Sequence, residues 1–207
     1  MKKCVSTCLF NAERYKNSFL KLPESIDKYL SDFDLVIYHD NSLTDLMKSN
    51  LKNFNCVKLI EMPTSIGRSG CFWRYLAYDE YDLCFFRDVD LPIEPNDVIV
   101  VNDFIKKDFD VGYIFVVHTR KPYPRQGFLM GGLFLMRKNN FIPSMNDLMN
   151  QYPYKEKYGT DEEFLAKIIY PLLKPICYFE PRNTVKSTVF LDGDYETYYP
   201  LTNNYSY

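Results

Sequence analysis

Three stretches of this chain share one build, an aspartate leading into an unbroken apolar run: Asp34-LVIYH-Asp40, Asp82-LCFF-Arg87 and Asp110-VGYIF. A strand with no polar face must be covered on both sides, which is the condition of a parallel sheet between helices. The intervening segments have helix length. Residues 3 to 10 read as a first strand, followed by a helical pattern from Ala12 to Leu22 that ends at Pro23. Ser42 is placed to cap a helix reaching Leu51. Cys56 to Met62 is the next strand, and CFWRYLAY (residues 71–78) is helical, with Phe72, Tyr75 and Leu76 on a buried face. Beyond Pro95 the pattern predicts a helix over Asp97 to Lys106, strands over Val111 to His118 and Phe128 to Arg137, a helix from Thr160 to Tyr170 and a short strand over Ile176 to Phe179. The expected fold class is α/β, a single domain with a mixed, mostly parallel central sheet flanked by helices, Rossmann-like in its first half.

Charge narrows the partners. With 25 Lys+Arg against 27 Asp+Glu the chain lacks the basic excess of a protein that grips nucleic acid, so no nucleic-acid partner is expected. Its six cysteines show no C-x-x-C pair and no histidine at metal-ligand spacing, so reduced, buried thiols in a reducing, cytoplasmic compartment are expected. The apolar run after Lys3 is cut short at Asn11, and no stretch reaches bilayer-spanning length, so neither a signal peptide nor a transmembrane segment is expected.

Asp88-Val89-Asp90 follows directly on an apolar strand. In an extended segment alternate side chains share a side, so Asp88 and Asp90 would present two carboxylates together while Val89 points away. The carboxyl end of such a strand borders the crevice where open α/β sheets bind ligands, and paired carboxylates suit Mn²⁺ or Mg²⁺ with positions left for diphosphate oxygens. D-x-D triplets also end strands before turns with no metal role, and Pro92 follows here.

The segments CLFN, IGRSGCFWRYLAYDE, FFRDVD, MGGLFLMRK and YGTDEEFL, in that order, resemble the GT-A glycosyltransferases, most of all the small domains encoded by chloroviruses, large viruses of algae. The resemblance covers Cys4 to about Phe179 and is most specific from Gly67 to Asp90. It implies a GT-A domain over residues 1–194, with a nucleotide-binding half at 1–93, an acceptor and sugar half at 94–194, and a tyrosine-rich tail or linker at 195–207. If the source is viral, the compartment is the host cytoplasm. The implied activity moves a glucose- or rhamnose-like hexose from a UDP-sugar to a hydroxyl of an oligosaccharide or glycoprotein glycan, and further domains of a longer polypeptide fit the same picture. Asp90 would be the direct metal ligand, with Asp88 and the Val89 backbone near the ribose or the metal's waters. Thr7, Asn11, Arg14 and Asp40 would reach the nucleoside, and Asp161, with Glu162 in reserve, would face the acceptor.

Each supporting residue also has an ordinary structural reading. Asn11 and Asp40 can be helix caps, and Thr160 with Glu163 fits a capping box. Arg68, between Gly67 and Ser69-Gly70, sits where helix-start amides favour phosphate. Arg74 is either a surface ion pair or a donor-site residue, and one of these two arginines can pair with Asp88 or Asp90. Gly131 and Gly132 interrupt a strong strand, which is costly unless a ligand or another backbone comes close; a bulge is the alternative. His118, Arg120, Lys121 and Arg125 form a basic loop that can close over a diphosphate or simply lie in solvent. Only His39 and His118 could supply the histidine that many GT-A enzymes add to the metal shell, and Asp192 or Asp194 are the substitutes. Two other functions fit parts of the pattern: a noncatalytic nucleotide-sugar or glycan-binding module, and a sugar-nucleotide pyrophosphorylase, although a glycine-rich, lysine-bearing loop is missing near the start.

Overall fold

The computed structural model describes residues 1–63, 69–106, 111–115, 131–140, 142–153, 159–169, 172, 177–181 and 189–191. The strands are β1 (Lys3–Leu9), β2 (Asp34–His39), β3 (Val57–Glu61), β4 (Leu83–Arg87), β5 (Val111–Phe115), β6 (Leu133–Arg137), β7 (Cys177–Pro181) and β8 (Val189–Leu191). They form one eight-stranded sheet in the order β3-β2-β1-β4-β6-β5-β7-β8. The first four are parallel, β6 runs antiparallel to both β4 and β5, β7 is parallel to β5, and β8 is antiparallel to β7. The mixed, mostly parallel sheet expected from the apolar runs is therefore present. The second half departs from the parallel pattern at β6 and β8.

Alternation along the strands divides the core into two layers. Cys4, Val36, Tyr38, Cys84, Phe86, Phe134 and Met136 pack with Phe72, Tyr75 and Tyr78 of a 3-10 helical segment (Ser69–Asp79) and with Met145 and Phe164. These last two belong to helices α4 (Met145–Gln151) and α5 (Thr160–Phe164), the latter running on into a π-helical turn over Leu165–Ile169. On the other face Val5, Leu9, Leu35, Ile37, Leu83 and Phe85 meet α1 (Lys21–Tyr29), α2 (Asp45–Leu51) and α3 (Pro95–Lys106). Each large side chain buried in these layers contributes about 1.5–3 kcal/mol of transfer free energy. β1 and β4 are buried on both faces because they lie between both layers.

Several local readings give way to the structure. Ala12–Tyr15 is a short 3-10 turn, and the helix begins only at Lys21, with Pro23 inside its first turn, where a missing N–H costs nothing. α2 is capped by Thr44, whose hydroxyl accepts the Met47 N–H, and not by Ser42. Ser42 instead accepts the Ala12 N–H at 2.9 Å and donates to Asp40 at 2.5 Å, tying the exits of β1 and β2 together. Helix α4 was not expected from the sequence at all. Ser144 is its N-cap, accepting the Asp147 N–H, and Asp79, 66 residues from Met145, reinforces the first turn by accepting the Met145 N–H at 2.7 Å and the Asn146 N–H at 3.1 Å.

Candidate active site

The chain runs from β1 outward to β2 and β3, then returns to place β4 on β1's other side. This reversal opens a crevice at the carboxyl ends of β1 and β4, the place where open α/β sheets take ligands. Asp88 is the first residue beyond β4. The extended alternation expected for Asp88 and Asp90 is not what forms there: the Leu91 N–H bonds back to Asp88 O at 3.1 Å, closing a turn. Val89 is buried and plugs that turn into the lower core, while Asp88 is half-exposed and Asp90 exposed. The loop is held from beneath. Fully buried Arg87 donates to Pro92 O at 2.6 Å and pairs with buried Asp97 at 3.2 Å; Asp97 also accepts the Glu94 N–H at 2.9 Å, and Ser25 accepts the Ile93 N–H at 2.8 Å.

Arg74 is the hub of the site. The 3-10 segment buries it, with Nε on Cys71 O at 3.1 Å, and directs Nη1 onto Asp88 Oδ1 at 2.6 Å while Nη2 stands 4.0 Å from Asp161 Oδ2. Of its two sequence readings, the surface ion pair is excluded by this burial. Asp161 comes from the start of α5, so one guanidinium joins a carboxylate at the end of β4 to a carboxylate on a helix 73 positions later. Gly131 and Gly132 complete the cluster. They do not interrupt a strand or form a bulge in it; they lie in the turn leading into β6. A β-carbon on Gly132 would fall 2.5 Å from either carboxylate oxygen of Asp88, and one on Gly131 would overlap Asp161 Oδ2 and stand 3.0 Å from the Tyr75 hydroxyl. The close approach that the glycines permit is to these side chains.

Glu162 adds a third carboxyl group. Burial, then the charges of Asp161 and Asp88, push it up to about 7 against the opposing pull of Arg74. It is therefore about half protonated near neutrality, beside Asp161. The capping box expected at this helix start is not made: Gly159, at φ 74°, is the N-cap residue, and the Thr160 hydroxyl is buried without a partner among the described residues.

The residues expected around a nucleoside are distributed along the neighbouring strand ends. Thr7 lies within β1, not past it, and is fully buried. Asn11 is exposed in the left-handed region at φ 53° and makes no side-chain cap bond; exposed Arg14 lies over the Tyr15 ring, 5.5 Å from its centroid. Buried Asp40 accepts both the N–H and the hydroxyl of Ser42. His39 is buried with Nδ1 2.9 Å from Asp40 O. Arg68, the basic loop with His118, Arg120, Lys121 and Arg125, and Asp192, Asp194 and the tyrosine-rich tail lie outside the described residues. Two residues were missed. Half-buried Tyr15 follows Arg14 in the turn after β1, and its phenol is pushed up by burial, with Arg14 opposing and Asp90 and Asp88 adding to the rise. Tyr75 lies directly beneath Gly131. Neither gave a signal in a chain with 18 tyrosines.

Among the described residues no group of three or more His, Cys, Asp and Glu side chains is gathered to hold a metal ion. The two hard carboxylates at the turn nevertheless fit a cation such as Mg²⁺ or Mn²⁺, which takes one or two protein carboxylates and fills its other positions with water or phosphate oxygens. Asp88 Oδ2 accepts no hydrogen bond among the described residues, and Asp90 is open to solvent.

No family model matches this sequence, and no curated protein matches it. Solved structures do share its fold. Residues 1–349 of S. aureus TarS in complex with UDP-GlcNAc superpose with a TM-score of 0.62 at 18% identity, covering 91% of this chain and 57% of that one. The same fragment in complex with UDP gives 0.59 at 17% identity, over 91% and 59% of the two chains. The glycosyltransferase GlyE of Streptococcus pneumoniae gives 0.56 at 14%, over 87% of this chain and 45% of its own. The chain thus spans between 45% and 59% of the length of these chains, and what it shares with them is the glycosyltransferase fold. No helix among the described residues is long and apolar enough to cross a membrane.

Proposed function

We propose that the chain is the catalytic domain of a metal-dependent glycosyltransferase that moves a hexose from a UDP-sugar to a hydroxyl of a glycan acceptor. The observation that carries this reading is the cluster at the β1/β4 crevice. One buried arginine faces Asp88 at the end of β4 and Asp161 at the start of α5, and two glycines leave the space those carboxylates fill. The shared fold, with one structural neighbour in complex with UDP-GlcNAc, supports the donor class.

In this reading Asp88 and Asp90 hold Mn²⁺ or Mg²⁺, which offsets charge on the departing nucleoside diphosphate. Asp161, beside Arg74, takes the acceptor's proton if configuration inverts; if configuration is retained it steadies positive charge on the sugar. Glu162, with its carboxyl pushed up to about 7, stands next to it. Asn11, Arg14, Asp40 and Tyr15, at the ends of β1 and β2, line the side on which the nucleoside lies, and Arg68 adds positive charge near the diphosphate. Glucose and rhamnose remain the first donors to try, joined by N-acetylglucosamine because of the neighbour's ligand.

The test is release of UDP from a panel of UDP-sugars with Mn²⁺, with and without oligosaccharide acceptors, beside Asp90→Ala and Asp161→Asn. Release that depends on both carboxylates is expected. A native protein that releases no more than Asp90→Ala on every donor overturns the reading. Saturable UDP binding without such release is the result expected of a noncatalytic module.

A further inference from the structure

Tyr75 is fully buried, and its hydroxyl has no hydrogen-bond partner among the described residues. A desolvated hydroxyl left unpaired is costly, and phenylalanine would fill the same space without that cost. Packing explains the ring: it meets Phe86 edge-on with centroids 5.4 Å apart, Phe134 at 6.2 Å and Phe164 at 6.1 Å. Packing does not explain the oxygen. Across Gly131 from it stands a carboxylate with the complementary deficit. Asp161 accepts no hydrogen bond among the described residues, and its nearest cation, Arg74 Nη2 at 4.0 Å, is beyond hydrogen-bond reach. The same missing β-carbon of Gly131 is bordered by the Tyr75 hydroxyl and by Asp161 Oδ2, so a donor without an acceptor and an acceptor without a donor flank one glycine.

We propose that Tyr75 is a positioning residue for Asp161, its phenol closing onto that carboxylate and, with Arg74, fixing the direction in which Asp161 faces an incoming hydroxyl. The assignment rests on the glycosyltransferase reading for its catalytic meaning, but the contact itself does not. The charged and titratable groups around Asp161 are Arg74 on the 3-10 segment, Asp88 beyond β4, Cys8 on β1 and Glu162 on its own helix. None of them donates a hydrogen bond to Asp161 in the described structure, and the phenol is the unpaired buried donor that stands across Gly131 from it.

Two measurements on the full chain test it. In the first, the side-chain carboxyl carbons are followed by NMR across a pH titration, with the Asp161 signal identified by its loss in Asp161→Asn. A donor to the charged form favours that form, so Tyr75→Phe should raise the Asp161 midpoint by about one pH unit. Reciprocally, Asp161→Asn should displace the Tyr75 ring Cζ signal. An Asp161 midpoint and a Tyr75 signal that both stay in place overturn the assignment, whatever the protein's activity. In the second, Tyr75→Phe should lower kcat for transfer about tenfold, with KM for the donor within twofold and the acid limb of the kcat profile moved upward. A kcat and a limb that stay unchanged also overturn it. A native chain that releases no UDP counts against the glycosyltransferase reading alone, because the resonance pair decides the Tyr75 assignment in either case.

Discussion

Gly132→Ala isolates the contact on which the crevice depends. Gly132 is not among the positive-φ residues, so alanine suits its backbone, and reducing the freedom of the unfolded chain would by itself stabilise by about 0.4–1 kcal/mol. The added β-carbon, however, falls 2.5 Å from both oxygens of Asp88 and must displace that carboxylate by roughly 1 Å to reach ordinary contact. Such a shift breaks the 2.6 Å bond from Arg74 Nη1. Asp88 is 46% exposed, so the lost pair itself is worth only about 1 kcal/mol after screening. Arg74 is 6% exposed, and losing its best partner adds about 1–2 kcal/mol. The net expectation is a loss of about 1–2 kcal/mol, which lowers Tm by roughly 2–8 °C in a chain of this size.

The assay is urea unfolding of the native chain, Gly132→Ala, Asp88→Ala and the double variant. With Asp88 shortened nothing remains to overlap, so Gly132→Ala should become neutral or stabilising, and the coupling between the two sites should exceed about 1 kcal/mol. Equal costs of Gly132→Ala in both backgrounds would refute the reasoning, because the clash would then lie elsewhere. Under the proposed function the single variant should also release UDP about 10²-fold more slowly, the scale expected when a reacting group is misplaced by 1 Å.

Three further outcomes follow from other parts of the structure. Glu162, pushed up to about 7 from an ordinary 4.5, binds its proton more tightly folded than unfolded; its stabilising contribution is complete below pH 4.5 and is lost as pH rises through 7. With a third of the group open to screening the change is on the order of 1–3 kcal/mol, and Glu162→Gln should flatten that part of a stability-against-pH curve. Breaking the buried Arg87–Asp97 pair with Asp97→Ala should cost about 3–5 kcal/mol by chemical unfolding, since it removes the carboxylate that faces a fully buried guanidinium. Asp79→Ala removes the acceptor of two first-turn N–H groups of α4 while the Ser144 cap stays, and should cost about 0.5–2 kcal/mol, with hydrogen exchange accelerated first at Met145 and Asn146.

The strands were legible because their signal is local and strong. Apolar runs such as LCFF admit few alternatives to a covered strand, and β4 appears within one residue of its expected start. Helix ends were harder to read, because several competing residues could satisfy the same backbone groups. Pro23 reads as a stop but sits in a first turn, and Thr160 reads as a cap while left-handed Gly159 takes that place. α4 went unread although Ser144 caps it locally, because seven residues with apolar Met145, Leu148 and Met149 are too few to set a period.

The site shows the same division between what spacing can carry and what only packing decides. Asp88 was recognisable from its place after a strand, and Arg74 could be matched to it as one of two possible partners. The relation of Asp90 to Asp88 could not be read, since extended alternation and a turn are equally available to D-x-D, and the Leu91 N–H settles it in favour of the turn. Gly131 and Gly132 are the instructive case. Two glycines at a strand's start signal that something comes close, a conclusion that follows from the missing β-carbon alone. What comes close is set by residues 30 to 56 positions away, Asp161, Tyr75 and Asp88, so a sugar and a carboxylate look identical from the sequence. A glycine that accommodates a catalytic side chain differs from one that accommodates a ligand in one measurable respect: alanine there perturbs the free protein. The coupling between Gly132 and Asp88 in the absence of any substrate is therefore the quantity that separates them.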